Sequence, residues 1–580
     1  MAERSFKKEV KKLHAGGGEQ FHGEGILAVT KALLQSGVAY VGGYQGSPIS
    51  HLMDVLADAK EEILDDMGVH FETSASEATA AAMLSASVHY PLRGAVTWKS
   101  TVGTNVASDA LANLASGGVT GGAVIIIGED YGEGSSIMQE RTHAFAMKSH
   151  IWLLDPRPNL PSIVEVVEKS FELSEASNTP VMVQMRIRAC HVHGQFTARD
   201  NVRPAFTLSE ALANPKRDLS RIVLPPSTFL HEKEKLEERL PRAVEFIKKH
   251  RLNEFFAGSR DDIGIVVQGG CYNTTVRALE HLGLADAYGN SEIPLYVLNV
   301  AFPLVDDELL AFATGKSALL LIEEGSPEFI EHEINSLFAR SGCTTRLQGK
   351  AVLPRGGEYT CDVLKKGLRA FIQQQTLDLL QDETALNFVP SKPLSVETLA
   401  DVVPARPAGF CTGCPERPVF SALKLLQREK GDFHVSCDIG CHLFSILPPF
   451  NIGATTMGYG LGGASTSAFN VASEKPAIAI MGDGGFWHNG LTSGIGNAVF
   501  NRSEGVNLII DNAYTAATGG QDILSSKAAH PNRSTNNPIS RAVEGVGVKW
   551  VRTLTRTYDV SAMLRTLREA VATRGRGQKS

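Results

Sequence analysis

The chain has 580 residues, a formal net charge of −7, and 43% hydrophobic against 21% charged residues. That length accommodates about three domains of roughly 100 to 200 residues each, and the mild acidity offers no basic surface for nucleic acid. The longest apolar runs, such as 123–127 and 318–322, fall far short of the roughly 20 residues that cross a bilayer. Residues 1–20 hold Lys7, Lys8, Lys11 and Lys12 without the apolar stretch of a signal peptide. The expectation is therefore a cytoplasmic protein that engages neither membrane nor nucleic acid.

In chain order, residues 1–21 read as an N-terminal extension and 22–196 as a first domain. Strand-like runs at Val38–Val41, Ala95–Trp98, Ala123–Ile127 and Val181–Met185 alternate with helical stretches over Glu77–Val88 and Ile163–Glu175, which predicts α/β architecture on a parallel sheet. The segment GGYQGSPIS at 42–50 follows the first strand and opens a helix, so it is either a helix cap or the rim of a site. Glu77, near a helix start, reads by itself as a cap or a surface charge. Residues 197–260 are polar and charged, broken by Pro225 and Pro226, and read as a connector, not a core element. A smaller α/β domain is expected over 261–380, with strands at Ile263–Val267, Leu295–Val300 and Ala318–Ile322. Its paired Glu323 and Glu324 read as solvated or salt-bridged and take no catalytic role. A proline-bearing linker over 381–406 leads to a last domain at 407–570, and 571–580 reads as a disordered tail.

Within that last domain, 476–521 reads as strand, helix, strand: Ala477–Met481 and Val506–Ile510 flank a small-residue stretch at Gly490–Asn501. The first strand ends in Gly482, Asp483 and Gly484, the second in Asp511 and Asn512, and open α/β sheets bind ligands at strand ends. Glycines let a backbone approach a pyrophosphate, while a carboxylate, a carboxamide and the Tyr514 carbonyl suit a magnesium ion. GDG alone is also a plain tight turn; the DN pair on the neighbouring strand end favours the site. The chain has eight cysteines, too few and too scattered for a disulfide framework. Four of them, Cys411, Cys414, Cys437 and Cys441, fall within about thirty residues and ask for a metal or redox explanation.

GDG followed by DN about thirty residues later resembles the thiamine pyrophosphate motif. DNAYTAATGGQ and CTGCPERP narrow the resemblance to the large subunits of indolepyruvate:ferredoxin oxidoreductases, within the 2-oxoacid:ferredoxin oxidoreductases. The resemblance implies a pyrimidine-binding domain at 22–196, a transketolase C-terminal-like domain at 261–380 and a pyrophosphate and magnesium domain at 407–570. It implies thiamine pyrophosphate and Mg2+ as cofactors, with Asp483, Asn512 and Tyr514 on the metal. SEATAAAM matches the place of the family's glutamate against the aminopyrimidine ring, which gives Glu77 as the activating acid, with Ser47 and Asn105 as further catalytic candidates. Gly46, Glu77, Gly103, Met457, Gly458, Gly482, Asp483, Gly484, Asn512 and Thr515 are the implied cofactor contacts. Ser135, Ser136 and Gln139 are candidate liners, and His442 and His488 are proton shuttles or polar liners.

The four cysteines resemble the family's cluster ligands, but relatives take a fourth cysteine from beyond the DN motif and this chain has none after Cys441. A 4Fe–4S cluster, zinc, or thiols without metal all stay open. The implied activity is oxidative decarboxylation of a 2-oxo acid, an arylpyruvate such as indolepyruvate, to acyl-coenzyme A. Ferredoxin or another acceptor would take the electrons through a separate γ-type or β subunit, because the chain shows no ferredoxin-like module; a dimer of heterodimers is expected. A non-oxidative decarboxylase or carboligase is the alternative, and a silent regulatory subunit is argued against by the intact GDG, DN and Glu77.

Overall fold

The computed structural model describes residues 4–132, 138–375, 402–403, 408–472, 475–527 and 533–573. The chain divides into two compact units, Arg4–Val389 and Pro390–Ser580. In the first, strands β1 (Gln20–Glu24), β2 (Tyr40–Gly43), β3 (His70–Thr73), β4 (Gly94–Lys99), β5 (Ala123–Glu129), β6 (Trp152–Leu154), β7 (Val181–Arg186) and β8 (His193–Thr197) come from the first two hundred residues. β9 (Glu254–Phe256), β10 (Ile263–Gln268), β11 (Leu295–Leu298), β12 (Val300–Phe302), β13 (Ala318–Ile322) and β14 (Arg346–Gln348) follow. A seven-stranded sheet runs in the order β12-β6-β7-β5-β4-β2-β3, parallel except for β12. A five-stranded sheet runs β14-β13-β10-β11-β9, parallel except for β9, and β1 pairs with β8 as an antiparallel ribbon. Central strands such as β5, AVIIIGE, are buried at every residue, which is why they read as unbroken apolar runs and not as alternating ones.

Two features of this unit depart from the sequence reading. The run Leu295–Val300, expected as one strand, is split at buried Asn299. β11 stays in the five-stranded sheet, while β12 pairs antiparallel with β6 at the edge of the seven-stranded one. Asn299 Nδ2 fixes the split by donating to Leu252 O at 2.9 Å and Glu254 Oε2 at 2.8 Å. The stretch taken as a connector also bears core. In the helix Leu240–His250, Ala243 and Ile247 are fully buried in the larger hydrophobic cluster, as the spacing i, i+3, i+7 from Leu240 provides under a charged exterior. Arg239 is buried beside them, donating to Ala115 O (2.9 Å), Gly117 O (3.3 Å) and Glu234 (2.9 Å).

The second unit is built on β15 (Val435–Cys437), β16 (Ile478–Gly482) and β17 (Val506–Ile510), all parallel. Helices Glu416–Lys430 and Val560–Ala572 pack Val419, Leu423, Leu426, Met563 and Leu567 against Ile478 and Ile480. Met481 joins Phe486 and Ile495 in a separate cluster. The stretch expected as one ordinary helix is wound in wide i→i+5 turns over Phe486–Gly496 and becomes α-helical only at Asn497–Phe500. Glycine allows the close approach: a Cβ at Gly490 would stand 2.8 Å from Met481 Sδ. Among the described residues, no helix is long and apolar enough to cross a membrane.

Candidate active site

In the second unit, β16 and β17 are in register with Gly482 opposite Ile510, so Asp483 and Asp511–Asn512 emerge side by side. Asp483 is buried. Its Oδ1 accepts from Gly484 N at 2.9 Å, and its Oδ2 accepts from Asn512 N at 3.0 Å and Ala513 N at 2.6 Å. Burial, together with a carboxyl–carboxyl contact to Asp511, pushes its pKa up to about 7 against the pull of the Ala513 and Gly484 N–H groups. Ala513 has φ +69°, a conformation that a residue with a side chain adopts at a cost and that gathers at functional turns. This turn presents Asn512 and the Tyr514 carbonyl to Asp483. One terminal atom of the Asn512 amide lies 2.6 Å from Tyr514 O and 3.2 and 3.3 Å from the two Asp483 oxygens. With nitrogen there, the amide donates to all three. With oxygen there, one carboxylate, one carboxamide and one carbonyl converge on a common point, the donor set of a hard divalent cation. These residues therefore fit a magnesium ion and, through it, a pyrophosphate.

The glycines around this turn have individual reasons. A Cβ at Gly484 would meet Tyr459 OH at 2.4 Å and Thr515 Cγ2 at 2.7 Å, and one at Gly485 would meet Asp438 Oδ2 at 2.1 Å. Thr515 is buried and exchanges hydrogen bonds with Gln521, accepting from its N–H at 3.1 Å; it ties down the 515–521 loop beneath Gly484. Gly458, at φ +142°, is half-buried, and Met457 beside it is exposed. Sequence reasoning missed Asp438. This buried carboxylate at the end of β15 accepts from Gly460 N at 2.8 Å, so it holds the turn that carries Met457 and Gly458. Burial raises its pKa to about 7, opposed by backbone N–H groups of Gly460, Ile439 and Leu461. An acid directly after the short run Val435–Cys437 was the available signal. His442 is buried next to it, bonded to the Asp438 backbone, and burial lowers its pKa to about 4. Among the described residues its Nε2 has no hydrogen-bond partner, and its ring lies between Gly440 and Gly482. A neutral ring of that kind is an acceptor at neutral pH and a poor proton donor. His488 is half-buried, with its ring 4.8 Å from that of Tyr459.

Of the cysteines, Cys441 has its pKa raised by burial and then by neighbouring Glu416, Cys414 and Cys411, which puts those four groups in one neighbourhood. Glu416 also adds to the rise of the Cys437 pKa, after burial and against the Ser445 hydrogen bond. Cys437, the last residue of β15, is buried in the core with Sγ 3.3 Å from Ser445 Oγ. Among the described residues, no three His, Cys, Asp or Glu side chains are set to hold a metal ion. The four cysteines as arranged do not fit a four-thiolate cluster.

In the first unit, the candidates lie at the C-terminal ends of β2, β3 and β4. Glu77 is buried and opens the helix Glu77–Met83, whose cap Ser76 accepts from Thr79 N at 3.4 Å. A Cβ at Gly103 would stand 2.9 Å from Glu77 Cγ and 2.5 Å from Trp98 Cδ1, so the turn Ser100–Thr104 closes directly over Glu77. Gly46 is buried against β4, where a Cβ would meet Lys99 Cβ at 2.5 Å, and Ser47 after it is half-buried. The structure thus joins the 42–50, 77 and 97–105 segments in one place. Asn105 is exposed, and its Nδ2 donates to Thr101 O (2.9 Å) and Glu140 (2.6 Å). Gln139 exchanges two 3.1 Å hydrogen bonds with the Gly132 backbone; Ser135 and Ser136 lie outside the described residues. Glu323 and Glu324 are buried and paired, Glu323 with Arg141 at 2.6 Å and Glu324 with Arg186 and Arg188.

Two family models match parts of the chain. Residues 438–576 match the C-terminal TPP binding domain of thiamine pyrophosphate enzymes, and 253–341 match the indolepyruvate ferredoxin oxidoreductase middle domain. With its parallel α/β sheets, the chain is a thiamine pyrophosphate enzyme of the multidomain class. The "indolepyruvate oxidoreductase subunit IorA" of Methanothermobacter thermautotrophicus is 30% identical over 88% of this chain and 78% of its own length. Proteins of the same name from Methanothermobacter marburgensis (28% identical, 88% of this chain, 78% of that one) and Thermococcus kodakarensis (27%, 95% and 83%) are similar to the same extent. The chain belongs to the IorA family of indolepyruvate oxidoreductase subunits. Among solved structures, a 2-oxoglutarate:ferredoxin oxidoreductase from Magnetococcus marinus is similar at 13% identity and a TM-score of 0.47, over 61% of this chain and 65% of that one.

Proposed function

We propose that the chain is the thiamine pyrophosphate-bearing subunit of an enzyme that oxidatively decarboxylates a 2-oxo acid, an arylpyruvate such as indolepyruvate, to its acyl-coenzyme A. The observation that carries the reading is the convergence of Asp483, the Asn512 amide and the Tyr514 carbonyl on neighbouring strand ends, within a family whose members are named indolepyruvate oxidoreductase subunits. Bound thiamine pyrophosphate supplies a nucleophilic thiazolium carbon and an electron sink. The chain supplies the rest. Asp483, Asn512 and the Tyr514 carbonyl hold Mg2+, while Gly482 and Gly484 let the backbone approach the pyrophosphate. Met457 and Gly458, on the turn held by Asp438, contact the cofactor body. Glu77 hydrogen-bonds the aminopyrimidine ring and sets its proton, with Gly103 closing over that carboxyl and Gly46 and Ser47 bounding the substrate side; Asn105 completes this edge. Ferredoxin or a similar acceptor takes the electrons through a second subunit, and coenzyme A takes the acyl group.

The test is calorimetric titration of the chain with thiamine pyrophosphate in the presence and absence of Mg2+, followed by assay of the copurified complex with an arylpyruvate, coenzyme A and an artificial acceptor. Magnesium-dependent cofactor binding and coenzyme A-dependent acceptor reduction are expected. Aldehyde or carboligation product without any acceptor would replace the oxidative reading with the non-oxidative one.

A further inference from the structure

We propose that Glu129 is a positioning residue for the activating acid: one oxygen of its carboxyl fixes the turn that presses Gly103 onto Glu77. This rests on the functional reading above and adds to it a residue that acts from outside the cofactor contacts. Glu129 is the last residue of β5, the strand between β4 and β7 in the seven-stranded sheet. β4 and β5 are in register with Lys99 opposite Gly128. The next residue of each, Ser100 and Glu129, therefore stand side by side at the C-terminal edge, where parallel sheets present ligands.

Glu129 is 2% exposed, and a carboxyl buried to that degree needs hydrogen-bond donors. Its donors divide between the two oxygens. Oε1 accepts from Gln184 Nε2 at 3.3 Å and from the Tyr131 hydroxyl. Oε2 accepts from Ser100 Oγ at 3.0 Å and from Thr142 N at 3.0 Å. The Ser100 and Thr142 hydroxyls also bond to each other. A serine hydroxyl has a single proton; with that of Ser100 given to Glu129, Thr142 donates to Ser100 and the three residues close a ring. Ser100 opens the turn Ser100–Thr104. The far end of that turn is held separately, with Thr104 Oγ1 accepting from Trp98 Nε1 at 3.3 Å. Between the two pins lies Gly103, where a Cβ would stand 2.9 Å from Glu77 Cγ. Just past the turn, Asn105 Nδ2 donates to Glu140 at 2.6 Å, a second tie between the segments that follow β4 and β5. Glu129 thus reaches Glu77 through Ser100 and its turn, whereas Gln184 on the other oxygen has no link to that turn.

The test uses the chain with its copurifying subunit and three variants. Glu129→Gln and Ser100→Ala break the Oε2 side, and Gln184→Met removes a donor from Oε1 alone. In the cofactor-free protein, hydrogen–deuterium exchange of the 100–104 amides should quicken by about tenfold in the first two variants and stay at the wild-type rate in Gln184→Met, since local opening follows the loss of local contacts. With magnesium and thiamine pyrophosphate bound, exchange of the thiazolium proton should slow by about ten- to a hundredfold in the first two, as slight misplacement of a reacting group does, while calorimetric affinity for the cofactor stays within about threefold of wild type. Gln184→Met should exchange the thiazolium proton at the wild-type rate. Wild-type thiazolium exchange in Ser100→Ala, or an equal slowing in Gln184→Met, overturns the proposal, and Ser100→Ala decides the matter even where Glu129→Gln fails to fold. Absence of magnesium-dependent cofactor binding in the wild type would instead overturn the functional reading, and the role of Glu129 with it.

Discussion

Asp483 gathers three backbone N–H groups, the Asp511 carboxyl and the Asn512 amide around one buried carboxyl, so its replacement removes the anchor of the whole turn. Asp483→Ala should abolish thiamine pyrophosphate binding, and a calorimetric titration with wild-type affinity would refute the metal assignment. Glu77 makes a separable prediction. Glu77→Gln keeps the shape that Gly103 packs on and removes the proton, so the fold and much of the cofactor affinity should survive. Exchange of the thiazolium proton, followed by quenched NMR, should slow by about 10²- to 10⁴-fold. His442 predicts a pH effect. Its pKa falls from 6.5 to about 4 on folding, so between those values the unfolded chain binds more protons, and stability is lost as pH falls through that window. His442→Gln should show a smaller drop in Tm between pH 7 and pH 5 than the wild type in scanning calorimetry. Gly482, Asp483 and Asn512 were legible in the sequence because two strand ends of one unit repeat at a fixed interval. Asp438 was not, because its role comes from packing against Gly485, which is far from it in sequence.

At the scale of elements, the turn that joins β16 to the wide helix depends on the absence of a side chain at Gly485, where a Cβ would fall 2.1 Å from Asp438 Oδ2. Gly485→Ala should push Asp438 off Gly460, destabilise the unit by about 1 to 3 kcal/mol, as overpacking does, and weaken cofactor binding; denaturant unfolding and calorimetry check both. The sequence showed the buried strands well, since a sheet covered on both faces demands unbroken apolar runs. β13, buried at every residue, starts and stops where the apolar residues do, at Ala318–Ile322. Where the reading fell short, a tertiary contact decided. Asn299 diverts β12 to another sheet by two side-chain hydrogen bonds. The helix Leu240–His250 hides a narrow apolar stripe under lysines and arginines. Close glycine contacts accompany the wide winding of Phe486–Gly496, and no local propensity announces such winding.

At the scale of the whole molecule, ligand binding is linked to stability, and the Asp483 turn lies in the unit Pro390–Ser580. A ligand that binds only the folded chain raises stability by RT ln(1 + [L]/Kd), about 2.7 kcal/mol at a hundredfold excess over Kd. Magnesium–thiamine pyrophosphate should therefore raise the Tm of the wild type and leave that of Asp483→Ala unmoved.

Electrons pose the remaining requirement. Oxidation of the decarboxylated substrate releases two electrons, and a relay needs ligand sets that can hold redox centres. Here Cys437 is buried in the core beside Ser445, and among the described residues no three-ligand group is assembled. The oxidative half of the reaction is therefore expected to depend on a partner subunit. Coenzyme A-dependent acceptor reduction should be at background for the chain purified alone and should appear when the copurifying subunit is added back, with iron and sulfide content following the partner. Cys437→Ser should then leave the iron content of the complex and its turnover unchanged. Robust acceptor reduction by the isolated chain, or loss of iron in that variant, would show that Cys437 leaves the core and that the chain carries its own relay.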